Sequence, residues 1–295
     1  LKWIIEREQD GMSIHDYLRS VQSFSRRLVK NVKDSKGKIQ VNGTCQTVRY
    51  RLSSGDELEV GFPPEIVGKG LFPEDLPLTI VYEDEAVLVI DKPAGIATIP
   101  SFKHLKGTIA NAVLGHYRKH QIPYTVHVVT RLDRDTSGLM LIAKHQYSHS
   151  LLSGEQKAGK VNRNYSAVVE GSLSQLEGTI DANIGRKEGS IIERMVTESG
   201  KKAITHYQVV EQSTNYSLVD IRLETGRTHQ IRVHFAHVGH PLAGDDLYGG
   251  STKDFNRQAL HCTELTFCHP FTKKVMHFQS SPPSELLHLI RLFSK

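Results

Sequence analysis

From residue 78 onward the chain is a succession of short apolar runs, each about the length of a strand and most with little between them. Residues 78–82 and 86–90 are joined by Glu83-Asp-Glu85 alone, and further runs occupy 125–130, 139–143, 164–169, 204–210, 216–223 and 260–267. Within 164–169 the alternation places Tyr165, Ala167 and Val169 on one face, as a strand with one buried side requires. Helical stretches intervene, for example at 108–119 and 148–158. Strands that outnumber helices and often follow each other directly predict an α+β fold with a mixed, largely antiparallel sheet rather than a doubly wound one.

The first sixty residues have a different texture. Ile14, Tyr17, Leu18 and Val21 fall at i, i+3, i+4 and i+7, the spacing of an amphipathic helix, and Ser13 with Asp16 supplies a capping box before it. A second helix starts near Ser25 and carries Arg26, Arg27, Lys30 and Lys33, with Leu28, Val29 and Val32 as its buried stripe. Residues 38–43 then read as strand and Asn-Gly turn, and 52–60 repeat that logic around Ser54-Gly55-Asp56. Residues 63–77, rich in proline, glycine and charge, read as a linker. The chain is thus expected to divide into a small unit at 1–62, a linker at 63–77 and a larger domain at 78–295.

Composition narrows the function classes. A chain of 295 residues, 38% hydrophobic and 23% charged, is long and apolar enough for a sizeable core. Its net charge of +5 suits a polyanionic partner without requiring one. Cys45, Cys262 and Cys268 form no CxxC pair, which speaks against a disulfide framework or zinc ribbon and for a reducing compartment. No apolar run approaches the roughly 20 residues of a membrane span. The opening Leu1-Lys-Trp-Ile-Ile-Glu-Arg-Glu8 is charged too early for a signal peptide. The expectation is a cytoplasmic monomer that contacts no membrane.

Two segments concentrate polar side chains. In 128–144, Arg131, Asp133, Arg134 and Asp135 sit on a connection between two predicted strands, where rigid elements hold catalytic groups in many enzymes. By pattern alone, a surface turn of self-paired charges fits equally. In 223–249, Gly226 allows a sharp turn, and Ile231, Phe235 and Val238 mark the buried side of a short helix ended by Gly239 and Pro241. Arg227, just before this helix, is placed to enter the same cleft as a catalytic acid. Gln230, His234 and His237 share a helix face, but HExxH is absent and no carboxylate stands at a ligand offset. Hydrogen-bonded histidines, some touching phosphate, are expected there rather than a metal.

Arg131-Leu-Asp-Arg-Asp-Thr-Ser-Gly138 resembles the signature of the RluA-type RNA pseudouridine synthases. Asp91-Lys-Pro-Ala-Gly95 is similar to that family's early turn, and residues 164–171 to the strand bearing its active-site tyrosine. Residues 226–232, Gly244-Asp-Asp-Leu-Tyr248 and Arg257-Gln-Ala-Leu-His261 resemble its later blocks, so the likeness runs from about 78 to 290. About fifty residues, 11–60, resemble the S-four-like RNA-binding domain that also occurs in this family. Thr130 stands where the family usually has histidine, and Arg163 and Asn164 where a lysine is common before the tyrosine.

The resemblance implies isomerisation of uridine to pseudouridine in structured RNA; the appended RNA-binding unit, which occurs in ribosomal RNA-modifying members, favours ribosomal RNA, while some relatives act on transfer RNA. It implies Asp133 as the catalytic carboxylate, Tyr165 packed on the base with a hydroxyl available to the C5 proton, and Arg227 paired with Asp133. Arg131, Arg134, His229 and Arg232, with Arg26, Arg27 and Lys30 of the basic helix, are the expected RNA contacts. Breaking the N-glycosidic bond builds positive charge on the ribose, which a carboxylate can stabilise, trap by adding to the sugar, or relieve by removing the 2′ proton. The target uridine must leave its stack to reach such a pocket. The reaction moves no electrons, so no cofactor is expected, and no metal.

Overall fold

The computed structural model describes residues 1–34, 37–101 and 105–291. Residues 35 and 36, which follow the basic helix in sequence, lie outside the described residues. Among the described residues the N-terminal unit is a four-stranded antiparallel sheet in the order β1 (Lys2–Ile4), β4 (Glu57–Gly61), β2 (Lys38–Val41), β3 (Thr44–Cys45). Asn42 and Gly43 join β2 to β3 with both φ angles positive, 52° and 80°, as a tight two-residue hairpin turn demands.

Ser13 caps α1 (Ile14–Asp16) by accepting the Asp16 N–H. The chain then widens into a π turn over Tyr17–Val21, closed by Gln22 N–H to the Tyr17 carbonyl. That widening turns Val21 out of the apolar stripe, and it is 41% exposed while Ile14, Tyr17 and Leu18 are buried. The basic helix is α2 (Arg26–Asp34). It buries Leu28, Val29 and Val32 and exposes Arg26, Arg27 and Lys30.

Residues 62–78 carry no helix or strand but are strapped to the larger body. The Glu65 carboxylate accepts the backbone N–H of Thr125 and Gln146 and meets the His127 ring at 2.6 Å. The Asn111 amide donates to the Phe72 carbonyl.

The larger body is the α+β fold that the strand succession predicts. Its strands are β5 (Thr79–Glu83), β6 (Val87–Lys92), β7 (His127–Val128), β8 (Ser137–Ala143), β9 (Asn162–Glu170), β10 (Glu177–Asp181), β13 (Ile204–Gln212), β14 (Tyr216–Leu223), β15 (Leu260–Cys268) and β16 (Val275–Gln279). They form a ten-stranded sheet in the order β10-β13-β14-β9-β15-β8-β6-β5, with β16 on β15 and β7 on β8. A separate hairpin pairs β11 (Ile184–Arg186) with β12 (Arg194–Val196). Helices α3 (Ile109–Lys119), α4 (Gln146–Lys157), α5 (Gln230–His237) and α6 (Ser284–Arg291) complete the fold. Among the described residues no helix is long and apolar enough to cross a membrane.

Every pairing in the large sheet is antiparallel except that of β15 with β8, which covers only His261–Ser137 and Cys262–Gly138. Beyond those two residues β15 leaves β8, and the short β7 takes its place against Ile142 and Ala143. This is why 125–130 yields only a two-residue strand. The loop from β7 to β8, which carries Asp133, therefore opens where neighbouring strands part.

The N-terminal unit packs directly on this body. Tyr147 of α4 is buried in the N-terminal core, its ring 4.2 Å from Phe24 and its hydroxyl donating to the Gln22 carbonyl. Phe62 stacks on His145 at 4.8 Å.

Candidate active site

The loop of residues 129–136 is held from several sides. Lys92, fully buried, donates from Nζ to the carbonyls of Pro93, Ile96 and Arg134, each at 2.8 Å. Burial draws its pKa down to about 8, against the pull of Asp135 and Asp133. The Thr98 hydroxyl donates to the Leu132 carbonyl at 2.7 Å, and Arg257 donates to the Asp135 carbonyl. Thr130 is buried and accepts the Leu141 N–H on its hydroxyl, so at this position the side chain ties the loop to β8. At the far end Gly138 has φ +109° and lies against the Cys262 backbone, leaving no room for a Cβ.

That close approach sets where the loop ends. Cys262 pairs with Gly138 on one side and with Tyr165 on the other, so the end of the loop is one strand removed from Tyr165. Tyr165 is 4% exposed, and burial raises its phenol far above the ordinary value, with Asp133 adding to the effect. The hydroxyl is therefore protonated at neutral pH in this state.

Asp133 is about a quarter exposed, and one of its oxygens is fixed. Arg232 Nη1 donates to Oδ2 at 3.2 Å, and His229 Nε2 stands 3.8 Å from the same atom. Oδ1 has no hydrogen bond among the described residues. Arg232 is itself gripped by the buried Asp245 through two parallel bonds of 2.7 Å, Nε to Oδ2 and Nη2 to Oδ1, a bidentate geometry that fixes the guanidinium plane. Burial works against the charge on Arg232, but the two carboxylates outweigh it and its pKa is raised.

His229 precedes α5 in a left-handed conformation, φ 57° and ψ 21°, strained for a residue with a Cβ. Its Nδ1 lies 2.7 Å from the Tyr248 hydroxyl, which accepts the Arg194 N–H of β12. The Tyr248 hydroxyl can donate to Nδ1 while accepting that amide, and a neutral ring bonded in this way carries its proton on Nε2, towards the Asp133 carboxylate. Burial lowers the His229 pKa and favours that neutral form.

The sequence of residues 86–237 matches the profile of the RNA pseudouridylate synthase family. The chain belongs to that family. It is similar over nearly its whole length to a Bacillus subtilis protein named "Uncharacterized RNA pseudouridine synthase YjbO", at 49% identity over 280 residues, 95% of this chain and 99% of that one. The "Ribosomal large subunit pseudouridine synthase D" of Pseudomonas aeruginosa is 40% identical over 280 residues, covering 90% of this chain and 86% of the relative. Among solved structures, human RNA pseudouridylate synthase domain containing 1 shares the fold with a TM-score of 0.59 at 24% identity, over 71% of this chain and 85% of that one. The protein is an RNA pseudouridine synthase, an isomerase.

The synthase distributes the residues singled out in its sequence unevenly. Asp133, Tyr165, His229 and Arg232 converge on one site. Arg227 does not reach Asp133: it is exposed, and its Nε donates to the Lys202 carbonyl at 2.9 Å. The pair with Asp133 is made by Arg232, expected only as an RNA contact. The reason lies in the helix. Arg227 precedes α5 on the loop, whereas Arg232 leaves its first turns on the buried side between Ile231 and Phe235. Val238, expected in that buried stripe, lies past the helix end and is 42% exposed. Arg134 is exposed and folds onto its neighbour Asp135, and Arg131 is exposed. His234 bonds to Thr205 and to the Ala182 carbonyl, and Gln230 to Thr205 and the Ile204 carbonyl. Among the described residues no three His, Cys, Asp or Glu side chains are grouped to hold a metal ion. Lys92, Asp245 and Tyr248 were not singled out, although each stands in a block that resembles the family.

Proposed function

We propose that Asp133 is the catalytic carboxylate of this synthase and acts on a uridine flipped out of structured RNA. The observation that carries this is the asymmetry of the carboxylate. Oδ2 is held by Arg232, Oδ1 has no hydrogen bond among the described residues, and the Asp133 charge is felt at the Tyr165 phenol. A carboxylate so oriented meets the ribose with a fixed oxygen as positive charge develops at C1′. The N1–C1′ bond breaks, the base turns against the Tyr165 ring, and its C5 bonds to C1′. The C5 proton is lost, N1 regains one, and the formula of the nucleotide is unchanged. His229 and Arg232 then serve the carboxylate first and RNA second, while Arg131 and Arg134 remain at the rim as contacts to its backbone.

The N-terminal unit is proposed as an S-four-like RNA-binding module that lays Arg26, Arg27 and Lys30 along a phosphate tract. Ribosomal RNA is the proposed substrate, supported by the names of relatives such as the Pseudomonas aeruginosa synthase D. The free thiols of Cys45, Cys262 and Cys268 suit the cytoplasm.

Asp133→Asn tests the central assignment, because it keeps the shape and removes the charge. It binds RNA and forms no pseudouridine. Product at a near wild-type rate would overturn the assignment. Pseudouridine mapping of total RNA with and without the synthase identifies the target, and a site confined to transfer RNA would overturn the ribosomal proposal.

A further inference from the structure

Arg163 is a cation that the site described above leaves unused. It lies two residues before Tyr165 on β9, so the two side chains leave the strand on the same face. The side chain is half-buried, its Nε is shielded from solvent without a hydrogen-bond partner, and no hydrogen bond or ion pair engages its guanidinium among the described residues. Buried donors in native proteins nearly always have acceptors, and the exceptions call for an explanation.

Gly226 shows where the group points. Its φ is not in the left-handed region, so the turn does not require glycine for backbone freedom. A Cβ at this position would instead stand 2.7 Å from Arg163 Nη2. The loop that leads to His229 and Arg232 is thinned at this residue, and the guanidinium fills the space. Arg163 is bracketed by Tyr165 on its own strand and by the loop that delivers the partners of Asp133. Asp133 and Asp245 both pair with Arg232, and among the described residues neither forms an ion pair with Arg163. An uncompensated guanidinium beside Tyr165 is suited to an anionic group of the substrate, and the anionic groups of RNA are phosphates.

We propose that Arg163 is a substrate-binding residue that takes a backbone phosphate flanking the flipped uridine. The planar fork of arginine matches two oxygens of a phosphodiester, which the point charge of lysine does not. A phosphate held there anchors the nucleotide backbone while the base lies against Tyr165. The proposal rests on the assignment of Asp133 and Tyr165 to the site.

The test uses an RNA fragment containing a mapped target uridine, with one uncharged methylphosphonate placed either 5′ or 3′ to it. Single-turnover rates are compared for the wild type, Arg163→Met and Arg163→Lys. One of the two methylphosphonates is expected to slow the wild type by about tenfold or more, and Arg163→Met to be slowed similarly on unmodified RNA. The two changes together are expected to be no slower than either alone, and Arg163→Lys to recover part of the loss. Gly226→Ala, which displaces the guanidinium, reproduces the defect and adds nothing to Arg163→Met, and it carries the test should Arg163→Met fail to fold. Wild-type rates for Arg163→Met, or effects of variant and methylphosphonate that simply multiply, would overturn the proposal. So would coupling to 2-thio- or 4-thiouridine in place of the phosphate, which would put the contact on the base. Binding of the same RNAs to Asp133→Asn, with Arg163 intact or replaced, reads the coupling without chemistry. A failure of the Asp133 assignment is thereby distinguished from a failure of this one.

Discussion

Arg232 stands between two carboxylates, meeting the buried Asp245 through two bonds of 2.7 Å and Asp133 through one of 3.2 Å. Removing the guanidinium would leave Asp245, whose side chain is 0% exposed, without its counter-charge. Arg232→Met is therefore expected to lose about 3–5 kcal/mol of stability, the usual cost of breaking a buried pair. Arg232→Met with Asp245→Leu removes both charges and is expected to recover most of that loss. Turnover stays down by about a hundredfold or more in both, because Asp133 has lost its anchor. Urea titration and single-turnover assays separate the two effects. Equal stability of the single and double variants would show that Asp245 is not the residue stranded.

Gly138 is a second point of strain control. It combines φ +109° with direct approach to the Cys262 backbone. Gly138→Ala is expected to cost about 2–4 kcal/mol and to reduce activity by more than its unfolded fraction accounts for. Gly95, with φ +85° and open space around its Cβ position, provides the comparison. Gly95→Ala is expected to lose only the left-handed penalty of about 1–2 kcal/mol. Thermal or urea midpoints of the two variants check the difference.

His145 makes stability depend on pH. Burial lowers its pKa from 6.5 to about 4, and its ring accepts the Ser148 N–H at the start of α4. Between those values the unfolded chain takes up a proton that the folded chain refuses, so stability falls as pH drops through 6.5 and levels off below 4. The full contribution is at most about 3 kcal/mol. His145→Asn keeps an acceptor for the Ser148 N–H and does not titrate. The stability difference between wild type and variant is expected to shift towards the variant as pH falls from 7.5 to 5. A pH-independent difference would refute the assignment.

The exposed face of α2 is expected to act through charge alone. Replacing Arg26, Arg27 and Lys30 with glutamine lowers RNA affinity and flattens its dependence on salt, with the slope of log K against log salt smaller by about 2 to 3. An unchanged salt slope would remove these residues from the RNA contact.

Much of the fold was legible because period-two alternation and strand length survive packing. Residues 216–223 form β14 with those bounds. Position 125–130 was not, because the two-residue parallel contact of β15 with β8 decides how much edge is left for β7, and no local pattern reports it. In the site, Asp133 and Tyr165 could be placed on loop and strand from sequence, but their relation depends on Cys262, a residue nearly a hundred positions downstream of Tyr165. Arg232 did leave a signal. An arginine flanked by Ile231 and Val233 and three residues before Phe235, on a helix that must bury its apolar side, requires an acid. Which of Asp245 and Asp246 meets it is set by the turn after Gly244 and could not be read locally.

The strap of residues 62–78 and the Phe24–Tyr147 seam also have a consequence for substrate choice. With Glu65 tied at three points and the two rings packed at 4.2 Å, the N-terminal unit is held against the larger body, so on the proposed roles the basic face of α2 and Asp133 stand at a set spacing. An RNA engages both only if its folding presents a phosphate tract and an extrudable uridine at that spacing. On those proposed roles, identical sequence around a uridine in a differently folded RNA is expected to be modified more slowly, which rates on refolded and native forms of one RNA would check.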